Sequence, residues 1–295
     1  MQINWYPGHM AKAKRLLQDQ VARVDAVIEL CDARLPYSSR NPALNHMLRN
    51  KARVLLLNKA DLADPALTKQ WMAFFQRKGI ECAAVSANKN ARDVLKAIER
   101  LTKDRVERSA ARGMRRTVRV MVVGVPNVGK STIINRLHGG SIAKVGDRPG
   151  VTRANQWVRV GEYLELLDTP GMLWPRLDDP VAARRLAYIS AIKDEVVDTF
   201  ALSIALLEDL TAISPEMLEK RYHIRDMSLR GQALLEAVCR GRGFLMRGGE
   251  PDLERACAVV LDEFRDGRLG RVTLEIPHET EETDENNQEG SEDAQ

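Results

Sequence analysis

The chain has few cysteines and no long apolar run, and each shortage narrows what it can be. Cys31, Cys82, Cys239 and Cys257 are scattered through 295 residues without metal-ligand spacing. That pattern argues against a disulfide scaffold or a zinc-thiolate site and for buried thiols. No apolar stretch approaches the ~20 residues that span a bilayer. The N-terminus, with Lys12, Lys14 and Arg15, lacks the hydrophobic core of a signal peptide. A cytoplasmic monomer with no membrane contact is expected. No internal repeat is present. Residues 279–295 lack lysine, arginine and aromatic side chains and hold eight acidic ones, the composition of a disordered tail.

With 44% hydrophobic residues the chain can build ordinary packed cores. The formal net charge is +4, and without the acidic tail it is +12. Such a basic body fits a polyanionic partner but does not demand one. Short apolar runs at Ala26–Leu30, Arg53–Leu57, Glu81–Val85, Val118–Val123, Gln156–Val160 and Tyr163–Leu167 alternate with helical stretches. The expectation is an α/β fold with a mostly parallel, doubly wound sheet. From about Asp179 the pattern turns helical, over roughly 180–192, 194–209, 214–222, 228–240 and 251–266, predicting a small all-α C-terminal domain. The division read from this is 1–23 (a WYPGHM segment and a basic helix), 24–178, 179–276 and a tail at 277–295.

Gly124-Val125-Pro126-Asn127-Val128-Gly129-Lys130-Ser131 follows a predicted strand and opens a predicted helix. That is the setting of a phosphate-binding loop, in which backbone N–H groups and a helix N-terminus cradle phosphate oxygens. The expected phosphate contacts are Asn127, Val128, Gly129, Lys130, Ser131 and Thr132, with Lys130 against the β- and γ-phosphates and Ser131 on Mg²⁺. Asp168-Thr169-Pro170-Gly171 follows the next-but-one strand. Asp168 is expected to hold magnesium through water, the Gly171 amide to sense the γ-phosphate, and Thr152 in the loop Pro149–Arg153 to complete the metal's coordination.

Asn58-Lys59-Ala60-Asp61 supplies the choice of base. The Asp61 carboxylate accepts from guanine's ring N–H and exocyclic amine, a donor pair that adenine lacks. Lys59 is expected to cover the base plane and Asn58 to brace the neighbouring loops. Ser86-Ala87-Asn88 is expected to offer the Ala87 amide to the guanine carbonyl. These base motifs precede the phosphate motifs, the reverse of the usual order, as a circular permutation of the same sheet produces.

Taken with Trp5–Met10 (WYPGHM), Asp32-Ala33-Arg34 with Pro36, and Gly267–Arg271 (GRLGR), the chain resembles the circularly permuted ribosome-assembly GTPases, most closely the bacterial ribosome biogenesis GTPase A family. The resemblance covers the chain to about Ile276. It implies a cytoplasmic GTP hydrolase that binds the maturing large ribosomal subunit and leaves after hydrolysis. Asn88 departs from the lysine commoner there in GTPases.

Met172 stands where many small GTPases carry the glutamine that orients the attacking water. An apolar side chain cannot do this, and His9 is the candidate replacement, a position to which the resemblance also points. Asn127 is a candidate K⁺ ligand, as in related GTPases that use potassium as an activator. Arg221, Arg225, Arg230, Arg240, Arg242 and Arg247 are candidates for an RNA face. Two other readings remain: a GTPase acting on another RNA, and an RNA-binding protein whose docking the nucleotide regulates. An RNA-modifying enzyme would need a second catalytic constellation, and none is seen.

Overall fold

The structure, a computed structural model, describes residues 17–87, 89, 92–113, 117–140, 156–173 and 179–277. The WYPGHM segment, the Pro149–Arg153 loop and the tail beyond residue 277 lie outside them.

Six strands form one sheet: β1 (Ala26–Asp32), β2 (Ala52–Asn58), β3 (Cys82–Ala84), β4 (Val118–Val123), β5 (Gln156–Val160) and β6 (Leu164–Asp168). Their order is β3-β2-β1-β4-β6-β5. All pairings are parallel except that of β5 with β6, as the alternating pattern predicts. The direction of winding reverses between β1 and β4, the switch point beside which ligands bind in open α/β sheets. Parallel pairing carries β1 and β2 beyond their apolar runs, so that Asp32 and Asn58 face each other at the strand ends. Polar side chains are thereby fixed by the sheet ladder itself rather than by loops.

Alternate residues of β1 serve the two faces. Ala26, Ile28 and Leu30 join the larger buried cluster, while Val27 and Cys31 pack on the other side. There α2 (Pro65–Arg77) lays Trp71, Phe74 and Phe75 against Leu55 and Leu57. Asp64 caps α2, accepting from the Leu67 amide at 2.7 Å, with proline next in the chain. The other helices of this part are α1 (Ala43–Met47), α3 (Arg92–Ala110) and α4 (Lys130–His138). All four cysteines are buried.

Five helices follow: α5 (Pro180–Tyr188), α6 (Thr199–Ile213), α7 (Pro215–Tyr222), α8 (Gly231–Arg242) and α9 (Leu253–Arg265). The helix expected from 194 is divided into a 3₁₀ turn at Asp194–Val196 and α6. Asp198 resets the start by accepting from the Ala201 amide at 3.0 Å. The larger buried cluster runs without interruption from Ala26 and Val120 of the sheet to Leu206, Leu235 and Phe264 of these helices. After α9 the chain returns to the sheet, and its residues 272–275 are buried against the ends of β1 and β2.

Candidate guanine-nucleotide site

The C-terminal ends of the parallel strands gather the motifs at one edge. β4 runs into the phosphate loop, β6 ends on Asp168, β2 ends on Asn58, and β3 leads to Ser86 and Ala87.

Gly129, at φ 100°, begins α4. A side chain there would strike the Asn58 amide, so the phosphate loop can lie against the base loop only because this residue is glycine. Gly171 is equally constrained, since a Cβ would come within 2.6 Å of the Pro126 backbone. That contact brings the end of the Asp168–Gly171 motif onto the phosphate loop. The Met172 amide also donates to the Gly124 carbonyl at 3.2 Å.

Lys130 is buried, and its Nζ donates to the carbonyls of Val125 at 2.8 Å and Gly124 at 3.2 Å. Burial pushes its pKa down to about 8, against the opposing pull of Asp168. The Ser131 hydroxyl donates to Asp168 Oδ2 at 2.9 Å. This hydroxyl and carboxylate form an all-oxygen pair of the kind a hard Mg²⁺ ion takes. Thr169 Oγ1 donates to the Val122 carbonyl at 2.7 Å, fixing the turn after β6. Asn127, at φ 60°, donates from Nδ2 to the Ser190 carbonyl at 2.7 Å. This residue of the phosphate loop therefore touches the segment after α5. The backbone around Thr132 is the first turn of α4.

Asn58 joins the two halves. Its Nδ2 donates to the Val128 carbonyl at 2.8 Å, and its Oδ1 accepts from the Ala87 amide at 3.0 Å. The bracing expected of Asn58 is present. The Ala87 amide, expected to face a guanine carbonyl, donates here to Asn58, which the strand end brings within reach. Ser86 Oγ accepts from the Asp61 amide at 3.1 Å, and Asp61 Oδ2 lies 3.2 Å from Lys89 Nζ. Lys59 has φ 58°, and its Nζ lies 3.3 Å from Asp32 Oδ2. Asp32 is also gripped by Arg34, whose Nε and Nη2 donate at 2.9 and 2.8 Å. Burial alone would raise the Asp32 pKa, but Arg34 and Lys59 together hold it well below the usual carboxylate range. His9, Asn88 and Thr152 lie outside the described residues.

Sequence reasoning missed what stands behind the base loop. The residues after α9 contact it directly, and Glu275 accepts from the amides of Tyr37 at 2.7 Å and Ser38 at 3.1 Å. GRLGR marked this region through the resemblance, but no local pattern says what a segment more than two hundred residues away will touch. Of the arginines expected on an RNA face, Arg221 and Arg242 pair with the buried Glu263 and keep 31% and 30% of their side chains exposed, and Arg225, Arg230, Arg240 and Arg247 are exposed. Among the described residues no helix is long and apolar enough to cross a membrane, and no group of three or more His, Cys, Asp or Glu forms a metal cluster.

A family model described as "50S ribosome-binding GTPase" matches residues 119–228. The chain is 44% identical over 282 residues to ribosome biogenesis GTPase A of Bacillus cereus, covering 95% of each. It is 33% identical to the protein of that name from Thermotoga maritima, covering 94% of this chain and 95% of that one. A solved structure of GNP-bound YlqF from T. maritima, 29% identical, superposes with a TM-score of 0.63 over 90% of this chain and 99% of its own. With identity of this level along nearly the whole length, and the permuted motifs gathered at one sheet edge, the chain belongs to the ribosome biogenesis GTPase A family.

Proposed function

We propose that this protein binds GTP at the edge formed by β1, β2, β4 and β6, hydrolyses it to GDP and phosphate, and couples that reaction to assembly of the large ribosomal subunit. The observation that carries the reading is Asn58, which ties the phosphate loop and the Ser86–Ala87 turn to one side chain. A base-reading loop and a phosphate loop so joined suit a single nucleotide lying across them. Asp61 reads the guanine, with Lys59, Ser86, Ala87 and Asn88 around the base, and Asn127–Thr132 with Gly171 surround the phosphates. Ser131, Asp168 and Thr152 would hold Mg²⁺, which would supply positive charge against the phosphate oxygens.

His9 is proposed to orient the attacking water. Met172 packs with Leu17 and Val21 in one apolar cluster, which suits a side chain that takes no part in water chemistry. The same cluster places Leu17 with the residue that follows the Asp168–Gly171 motif. A His9→Ala protein that binds GTP normally and hydrolyses it undiminished would remove this role. K⁺ is proposed as an activator held through Asn127 Oδ1, and equal turnover in KCl and NaCl at matched ionic strength would dismiss it. The helical part, residues 179–276, is proposed to face ribosomal RNA through Arg225, Arg230, Arg240 and Arg247. The protein acts in the cytoplasm as a monomer.

The test is GTP turnover in potassium buffer, alone and with large or small ribosomal subunits. Stimulation by large subunits only is expected. GTP binding without any stimulation would keep the GTPase and favour the alternative that it acts on another RNA.

A further inference from the structure

We infer that residues 272–275, which follow the last helix, are a positioning element of the base site: they clamp the loop carrying Lys59 and Asp61 and so set how long a guanine nucleotide stays bound. This rests on the reading that Asn58–Asp61 recognise guanine.

The loop from Lys59 to Asp64 needs an external support. Lys59 occupies a left-handed conformation at φ 58°, which a non-glycine residue keeps only where its surroundings over-determine it. The C-terminal segment supplies the surroundings on one side. The Val272 amide donates to the Leu62 carbonyl at 3.1 Å. Thr273 Oγ1 accepts from the Asp64 amide at 3.1 Å and donates to the Ala33 carbonyl at 3.3 Å. One hydroxyl, on a residue 1% exposed, thus joins the loop after β2 to the loop after β1.

The second loop is gripped as well. The Leu274 amide donates to the Arg34 carbonyl at 2.9 Å. Glu275, also buried, holds the Tyr37 and Ser38 amides, and its own carbonyl accepts from Trp71 Nε1 at 2.9 Å. Arg34 in turn fixes Asp32, and Asp32 lies beside the Lys59 ammonium. Arg34 Nη1 reaches the carbonyls of Phe264 at 2.6 Å and Arg265 at 3.3 Å, at the end of α9. Both flanks of the base loop are therefore held from the C-terminal end of the chain. None of these bonds involves the phosphate loop, so the clamp should affect retention and choice of base while leaving the phosphate chemistry alone.

The experiment uses the full chain carrying Thr273→Val, which keeps the shape and removes both hydrogen bonds. Release of fluorescently labelled GDP is expected to be about tenfold faster, the effect of losing two ordinary hydrogen bonds. The preference for GTP over ITP, which lacks the exocyclic amine, should narrow. Single-turnover hydrolysis at saturating GTP should stay unchanged, and Thr273→Ser should restore slow release. A folded Thr273→Val protein with unaltered release and preference overturns the inference. Should that variant fail to fold, hydrogen exchange on the wild type decides. GDP should slow exchange of the Val272 and Leu274 amides, and no difference with and without GDP overturns the clamp. Asp61→Asn separates the two readings. If it leaves the preference for GTP intact, the base-site assignment fails. If it abolishes the preference while Thr273→Val changes nothing, only the clamp fails.

Discussion

The two halves of the nucleotide site are supported in opposite ways. On the phosphate side, Lys130 is held by carbonyls five and six residues earlier, Ser131 by Asp168, and Thr169 by the strand next to its own. On the base side, Lys59 lies against Asp32, Asp32 is held by Arg34, and both Arg34 and the loop from Lys59 to Asp64 are bonded to residues 264–273, more than two hundred residues away. A phosphate cradle is a local object, because glycine conformations and one helix start suffice to point backbone amides at an anion. A base reader must hold a carboxylate on a long loop in one orientation, and that takes packing from elsewhere in the fold.

Four experiments sharpen or break this contrast. The largest effect is expected from Asp61→Asn, which should lower GTP affinity by roughly 10³-fold or more and admit xanthosine nucleotides, as titration calorimetry with GTP and XTP would show. Unchanged GTP affinity would remove Asp61 as the reader of the base. Lys130→Met comes next, with hydrolysis slowed by about 10²–10³ in single-turnover assays and the preference for GTP over ITP retained. A collapse of that preference would mean that the halves are not separable.

Asp32→Asn leaves the buried Arg34 guanidinium without its carboxylate and should cost about 3 kcal/mol in urea unfolding. The Asp32 pKa is lowered in the folded protein from an ordinary 3.8, so its stabilisation is fully present above that pH and lost as pH falls further. The gap between wild type and variant should therefore persist at pH 5 and narrow only below 3.8. A gap already closing at pH 5 would contradict the pairing.

The smallest effect is expected from Asn127→Gly. Glycine keeps φ near 60° without strain, so the change reports the lost bond to Ser190, about 1 kcal/mol by the same unfolding measurement. This bond is the phosphate loop's own link to the helical part. A loss as large as that of Asp32→Asn would show that the phosphate side also leans on distant structure.

Much of the fold was legible because its signals are local. Apolar runs bounded by polar turns gave the strands, and Asp64 before Pro65 signals the start of α2 in the residues themselves. The division of the helix expected from 194 was not read, because the capping role of Asp198 competes with a helical pattern that runs through it. The bond from the Ala87 amide to Asn58 was not read, because sequence places the Ser86–Ala87 turn without showing that Asn58 reaches it. The pairing of Arg221 and Arg242 with Glu263 was not read, because their charge is visible in sequence and the burial of Glu263 is not.

By itself the sequence set out the candidate chemistry: a lysine and serine on a glycine turn, an aspartate placed to select a base, and the permuted order of the motifs. Local spacing carries such information, since a motif's residues are placed by the one strand and turn that bear them. Only the tertiary structure decided which groups hold the motifs in place. The hydroxyl of Thr273, the carboxylate of Glu275 and the guanidinium of Arg34 become neighbours of the base loop through the path of α9 and the chain after it, and no periodicity or spacing in a sequence encodes a meeting across two hundred residues.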